Sequence, residues 1–147
     1  FLPPDFNDCT YRGYGPYESY CDKHRSSTYG WYDERVENFY VPYLKPQEHG
    51  SRWNVDDLRF AGKTAPLLLR IGTNKPFSFN ASVYDEEELT RKAHDYELEK
   101  NGSIVLCLDA KMGGTGSASC GPELKKNYQV AEETLDLSWI LSPEVLP

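Results

Sequence analysis

The sequence has few of the residues that bind nucleic acids or acidic membranes, and no long apolar run. Lys and Arg number 16, Asp and Glu number 23, and the formal net charge is −7. Phosphate backbones are bound through clustered Lys and Arg, so scattered basic residues argue against nucleic-acid and membrane-surface partners. The longest apolar stretches, PLLLRIG and SIVLCLDA, are far shorter than the roughly 20 residues of a membrane span. We therefore expect a soluble protein.

Cysteine is also scarce, with four residues at positions 9, 21, 107 and 120. Their spacing gives no close pairs of the kind found in zinc sites, and four are too few for a disulfide framework in this length of chain. We expect free thiols in a reducing, cytoplasmic compartment. The sequence also has neither an initiator Met nor a signal-peptide pattern, and we expect it to be part of a longer protein.

Aromatic residues are abundant, at 14% of the sequence, and they favour the half-buried surfaces of strands. Residues 1–53 carry apolar side chains only in ones and twos among Gly, Pro, Tyr and charged residues. This pattern predicts extended or looping chain there. Strand patterns begin at Arg52 and continue through 66–72 and 77–84, where Phe77, Phe79, Ala81 and Val83 alternate with more polar neighbours.

One segment, residues 84–96, has the pattern of a helix. Asp85 is placed to cap its start, Leu89, Ala93 and Tyr96 share one face, and the pairs Glu87–Arg91 and Glu88–Lys92 have i,i+4 spacing. The segment 103–110 then predicts a strand buried on both faces. The segment 133–143 predicts a last strand with Leu135, Leu137, Trp139 and Leu141 on one face. The fold class is therefore mainly β, an antiparallel β-sandwich with one short helix.

Seven consecutive positions, 113–119, carry no side chain larger than Thr. The run comes close to a dinucleotide-binding G-x-G-x-x-G motif, but Gly121-Pro122 stands where a helix should begin, and no Gly-Lys-Ser/Thr follows. Nucleotide binding is therefore disfavoured. Two interpretations remain: a plain connection, or a loop that lets a neighbour approach the backbone closely.

Other candidate groups give weaker indications of chemistry. Cys120 has no His near it in the sequence, and a free Cys is more often a small apolar residue than a nucleophile. Glu18, Asp22 and Glu48 lie among aromatic and turn residues, where a carboxylate ties down irregular backbone, and we assign them that structural role. The sequons at Asn80 and Asn101 fall in a strand and a tight turn, so we discard glycosylation.

Four segments, taken in order, resemble the C-terminal domain of glycoside hydrolase family 2 β-galactosidases. They are residues 13–23 (GYGPYESYCDK), 40–50 (YVPYLKPQEHG), 77–84 (FSFNASVY) and 109–122 (DAKMGGTGSASCGP). The resemblance covers nearly the whole chain, and we expect residues 1–147 to form a single domain. It implies the later part of a large β-sandwich, a supersandwich similar to galactose mutarotase domains.

The activity implied is the retaining hydrolysis of terminal β-D-galactosides such as lactose, in which two glutamates about 5 Å apart act as nucleophile and acid/base. In this family those glutamates, and the magnesium and sodium ions, belong to a TIM barrel elsewhere in the protein. We therefore assign no catalytic residue, metal or cofactor to this chain. The implied partners are the β-galactoside and the TIM-barrel domain of the same or a partner chain. A homo-oligomer is expected for the full-length protein.

By the same resemblance, the glycine-rich loop forms one wall of the galactose pocket. Gly114, Ser119 and Cys120 are the residues expected to contact substrate, with Cys120 at a position that some relatives fill with Trp. Ser19 and Lys23 depart from the family, which often has Asn and Arg there. The competing hypotheses are a stand-alone carbohydrate-binding or mutarotase-like module, and a dinucleotide-binding loop at 113–119.

Overall fold

The computed structural model describes residues 1–64, 66–115 and 121–145, and strands dominate them. The strands are β1 (Asp8–Gly15), β2 (Thr28–Arg35), β3 (Arg52–Val55), β4 (Asp57–Ala61), β5 (Leu67–Thr73), β6 (Phe77–Ser82), β7 (Val105–Asp109) and β8 (Trp139–Val145). The helical segments are α1 (Glu86–Arg91) and short 3-10 helices at Val36–Phe39, Asp95–Glu97 and Lys126–Tyr128. Across the described ranges, no helix has the length and apolar character to cross a bilayer.

The strands form two antiparallel sheets, one of five strands in the order β2-β1-β4-β5-β8 and one of three in the order β3-β6-β7. Side chains from both sheets meet in one core. There the ring centroids of Tyr11 in β1 and Phe79 in β6 lie 5.5 Å apart. Phe60 of β4 packs edge-on against the same Phe79 ring at 6.5 Å. The predicted antiparallel β-sandwich is confirmed.

Strand β1 alternates strictly between inward and outward positions, but two of its inward positions are glycines. Cys9 and Tyr11 fill the core, whereas Gly13 lies directly against Val55 of the facing sheet. A Cβ at Gly13 would overlap the Val55 side chain, so the glycine permits the two sheets to approach at this point.

The expectation of extended or looping chain for residues 1–53 is confirmed in its extended part, but it did not identify two regular strands there. Strands β1 and β2 pair over eight residues each, from Asp8 opposite Arg35 to Gly15 opposite Thr28. The local pattern concealed them because glycines replace apolar residues in β1 and because most of β2 is exposed. Their pairing supplies the order that the sequence pattern lacks.

The expected alternation in β6 is confirmed, since Phe77, Phe79 and Ala81 all lie in the core. The intervening Ser78 and Asn80 are buried as well, because β6 is the central strand of its sheet and is covered on both faces.

The predicted helix begins as expected but is short. The Asp85 carboxylate accepts a hydrogen bond from the Glu88 N–H at 2.8 Å, which caps the first turn. The helix ends because Lys92 is extended, with φ −80 and ψ 142. Leu89 is buried as predicted, but Tyr96, expected on the same face, is 81% exposed.

The predicted ion pairs of this segment are half right. Lys92 lies 3.4 Å from Glu88, as the i,i+4 spacing predicts. Arg91 pairs with Glu88 rather than with Glu87, at i,i+3. The Glu88 carboxylate therefore forms ion pairs with both Arg91 and Lys92.

The predictions for β7 and β8 are wrong in part. Strand β7 is only partly buried because, among the described residues, its one neighbour is β6. Strand β8 begins at Trp139, and Leu141, predicted to face inward, is 59% exposed. Leu137 and Trp139 do pack against the core. Both strands lie at sheet edges, where a sequence pattern overstates burial.

Candidate functional site

A cavity of about 380 Å³ opens beside the start of the glycine-rich run. It lies where the turn after β1, the irregular chain before β3 and the segment after β7 meet. We call it the loop cavity; its lining residues are Tyr20, Lys23, Tyr43, Gln47, Glu48, Met112, Gly114 and Thr115.

The turn after β1 is held rigidly on β3. Tyr20 and Lys23 exchange backbone hydrogen bonds of 2.9 and 3.1 Å, which closes the turn. The Ser19 N–H donates to the Ser51 carbonyl at 2.8 Å, and the Ser19 hydroxyl oxygen accepts from the Trp53 N–H at 2.9 Å. These contacts fix the turn that carries one wall of the cavity.

Glu18 is the organising charge beneath the cavity. Its carboxylate is only 7% exposed, and it accepts hydrogen bonds from the Lys23 ammonium, the Tyr43 hydroxyl and the Tyr20 hydroxyl. A fourth donor, the Gly50 N–H, lies at 3.1 Å. A buried carboxylate with four donors is well satisfied and joins three separate segments of the chain.

These contacts keep Glu18 ionised. Burial works against the charge, but the hydrogen bonds from Lys23, Tyr43 and the Gly50 amide outweigh it, and the pKa of Glu18 lies below its ordinary value. The hydrogen bond to Glu18 raises the pKa of Lys23. Burial, then the hydrogen bond to Glu18, raises the pKa of Tyr43. Glu18 is therefore poorly suited to act as a general acid near neutral pH.

The first residues of the glycine-rich run are attached to this turn through Asp22. Its carboxylate accepts from the Thr115 N–H at 3.2 and 3.3 Å, and from the Thr115 hydroxyl at 3.3 Å. Gly114 has φ +87, and a Cβ there would overlap the Asp22 carboxylate. The contact therefore needs glycine at position 114 for both conformation and space.

Met112 forms part of the cavity wall and is held on two sides. Its carbonyl oxygen accepts from the Cys21 thiol at 3.3 Å, and its sulfur lies 3.8 Å from the Ser51 hydroxyl. Together with the Asp22 contact, these bonds fix the entry into the glycine-rich run before residue 116.

The expected substrate-binding residues are only partly within the described ranges. Gly114 lines the loop cavity, whereas Ser119 and Cys120 lie outside the described residues. The structural role predicted for Glu18 and Asp22 is confirmed by their hydrogen bonds to backbone amides. Glu48 lines the cavity with an exposed side chain, and within the described part of the chain its carboxylate holds no backbone amide.

Sequence reasoning missed Tyr43, Met112 and Thr115 as cavity residues. All three stand within the motifs quoted above, but nothing local in the sequence indicates that they line the same cavity. The cavity offers phenol, ammonium and carboxylate groups beside backbone that lacks side chains, which suits a ligand rich in hydroxyl groups.

The arrangement does not supply a retaining pair of glutamates, because Glu18 is committed to four donors. No cluster of three or more His, Cys, Asp or Glu side chains in the described ranges is arranged to hold a metal ion.

A sequence model of the family described as "Beta galactosidase small chain" matches residues 1–141. The chain belongs to this β-galactosidase small-chain family. Among the curated relatives, the β-galactosidase of Actinobacillus pleuropneumoniae is 42% identical over 135 residues, which covers 92% of this chain and 13% of the relative. The β-galactosidase of Kluyveromyces lactis is 32% identical over 158 residues, covering 98% of this chain and 15% of the relative.

A third relative, the β-galactosidase of Oenococcus oeni, is 32% identical over 128 residues, covering 86% of this chain and 12% of the relative. The chain thus spans about an eighth of the length of the relatives it matches. The matched region, residues 1–141, contains the turn at Glu18–Lys23 and the whole glycine-rich run.

Proposed function

We propose that this chain is the C-terminal part of a β-galactosidase of glycoside hydrolase family 2, which hydrolyses terminal non-reducing β-D-galactosides, lactose among them, with retention of configuration. The observation that carries the proposal is the match of residues 1–141 to the small-chain family. The relative that is 42% identical is itself named a β-galactosidase.

In this proposal the chain completes the sugar pocket and leaves bond cleavage to another domain. The catalytic glutamates, with the magnesium and sodium ions, lie in a TIM-barrel domain of the same or a partner chain. The engagement of Glu18 by four donors supports this division, since that carboxylate is occupied in holding the turn.

The glycine-rich loop is the proposed wall of the galactose pocket, through Gly114, Ser119 and Cys120. Its fixed entry at Asp22 and Thr115 supports this, because a pocket wall must be held to within a fraction of an ångström to bind selectively. In the same proposal the full-length protein is cytoplasmic, binds carbohydrate and forms a homo-oligomer.

The test is the hydrolysis of a chromogenic β-galactoside by two proteins: the full-length protein, and a truncated form that ends before Phe1 and so lacks this chain. We expect the full-length protein to hydrolyse the substrate with a β-configured first product, read by NMR, and the truncated protein to lose activity. Retained kcat/KM after truncation would refute the role given to this chain.

The variant Cys120→Trp in the full-length protein tests whether the glycine-rich loop forms a wall of the pocket. An added stacking surface worth on the order of 1 kcal/mol changes KM for aryl galactosides about fivefold. Unchanged KM would remove Cys120 from the pocket wall without contradicting the activity.

A further inference from the structure

A second cavity, of about 310 Å³, shares with the loop cavity only Met112 among the residues that the structure describes. We call it the aromatic cavity. Its walls come from the turn after β1, strand β3, the start of β6, the end of β7 and the 3-10 helix at Lys126–Tyr128. This volume is at the lower end of ligand-binding cavities, which suits one small ring.

Trp53 forms a rigid part of the wall. Its indole stacks on the His24 ring at 4.4 Å with an interplanar angle of 28°, and the Tyr14 ring lies 5.0 Å away. His24 is itself held by a 3.1 Å hydrogen bond between Nδ1 and the Tyr20 carbonyl. An aromatic side chain that is already fixed loses little conformational entropy when a ligand binds.

Two polar, neutral side chains also line the cavity. Asn54 and Asn127 line the cavity, and within residues 1–64, 66–115 and 121–145 neither side-chain amide has a hydrogen-bond partner. Asn54 has φ 56, a left-handed conformation that is uncommon for a residue other than glycine. Each free amide offers two donors and an acceptor to a ligand.

Charge does not favour an anion in this cavity. Its one ammonium group, that of Lys111, already pairs with the Glu132 carboxylate. A neutral ligand with an apolar face and a rim of hydroxyl groups therefore fits the aromatic wall and the two amides together.

We propose that the aromatic cavity binds one hexopyranose ring, with its C–H face against Trp53 and its hydroxyl groups on Asn54 and Asn127. Because Met112 is common to both cavities, a bound sugar contacts the segment that enters the glycine-rich loop. This binding requires no hydrolysis and does not depend on the proposed function.

The test uses the full-length protein and methyl α-D-galactopyranoside, which a β-galactosidase does not cleave. Tryptophan oxidation by N-bromosuccinimide is followed at each site by peptide mass spectrometry. We expect a saturating concentration of the glycoside to slow oxidation at Trp53 by about tenfold. Trp31, which is 49% exposed on the outer face of the five-stranded sheet, serves as the internal control and keeps its rate.

Mannitol at the same concentration controls for consumption of the reagent, because it has the hydroxyl groups but no ring. Equal slowing at Trp53 and Trp31, protection by mannitol, or stronger protection by adenosine would overturn the proposal. So would a Trp53 that is not oxidised without sugar, because the cavity would then be closed in the full-length protein.

The variant Asn54→Gly removes the amide and retains the left-handed backbone. We expect the glycoside concentration that gives half-maximal protection to rise several-fold, by about 3–10 times for one lost hydrogen bond. Unchanged protection in this variant would contradict the contact assigned to Asn54. If the unmodified full-length protein shows no β-galactosidase activity but the glycoside still protects Trp53, the proposed function alone is refuted.

Discussion

The Asp22 carboxylate accepts a hydrogen bond from the Thr115 N–H at 3.2 Å, across 93 positions of sequence. This contact joins the turn after β1 to the first residues of the glycine-rich run. The position of the run's entry therefore depends on a side chain from the opposite end of the chain.

Replacing Asp22 should loosen this entry without changing the catalytic groups. In the full-length protein, Asp22→Asn weakens a charge-assisted acceptor, and we expect KM for a chromogenic β-galactoside to rise about threefold to tenfold. kcat should change less than KM. Steady-state kinetics measure both.

The matched control is Asp56→Asn, the same chemical change at a carboxylate that pairs with Arg12 and accepts from Tyr29 away from the loop cavity. We expect its kinetic constants to equal those of the wild type. A parallel rise in KM for both variants would show that the Asp22 effect is not specific to the loop.

Alanine should destabilise the loop at Gly114 but should be tolerated at Gly113. Gly114→Ala places a Cβ at φ +87 against Asp22, at a cost of about 1–3 kcal/mol in local stability. At Gly113 no described atom lies within 4 Å of an added Cβ, and alanine should be tolerated. Hydrogen exchange of peptides spanning 106–115 in the full-length protein measures the difference, and equal protection in the two variants would contradict it.

Glu18→Gln should destabilise the segments that Glu18 joins. The variant removes the charge beneath Lys23, and we expect the free energy of local opening to fall by about 2–4 kcal/mol at pH 7. Hydrogen exchange of peptides covering residues 18–53 in the full-length protein reports this quantity.

The effect of Glu18→Gln should depend on pH. Since folding lowers the pKa of Glu18, the stability that its charge contributes is complete above the unfolded pKa, about 4.3. It is lost as the pH falls through the folded pKa. The difference between wild type and variant should therefore be constant from pH 7 to about 5 and narrow below that. A difference that widens in acid would contradict the assignment.

Arg52→Lys should be costly although it keeps the charge. The buried guanidinium donates to the Tyr11 hydroxyl and the Gly50 carbonyl at 2.9 Å and stacks on Phe39 at 4.3 Å. The lysine ammonium cannot reproduce the planar set of donors that the guanidinium offers. We therefore expect the free energy of opening of the core to fall by about 2–3 kcal/mol. The exposed pair at Arg35 is the control, where lysine should cost less than about 0.5 kcal/mol. Hydrogen exchange of the β6 peptide distinguishes the two.

Strand β6 and the start of α1 could be predicted because local pattern decides them. Phe77, Phe79 and Ala81 alternate, and Asp85 caps a helix within three residues of itself. Strand β2 could not be predicted, because most of it is exposed and only its pairing with β1 orders it. Local chemistry fixes the first kind of element, and tertiary contact fixes the second.

The candidate site shows the same division. That Glu18 would tie down backbone follows from its turn-rich surroundings, but its partners Tyr43 and Gly50 come from 25 and 32 residues away. The contact of Asp22 with Thr115 has no local signature. Cys120, the expected pocket wall, lies outside the described residues and stays a prediction.

The separation of 93 residues between Asp22 and Thr115 also sets the order in which the loop cavity can be assembled during synthesis. A nascent chain that has reached residue 100 already contains Glu18 and its donors Lys23, Tyr43 and Gly50. It lacks Met112, Gly114 and Thr115, which close the cavity. On the ribosome, the buried charge network can therefore form first, and the cavity wall that contains these three residues can dock only when the final third of the chain has emerged.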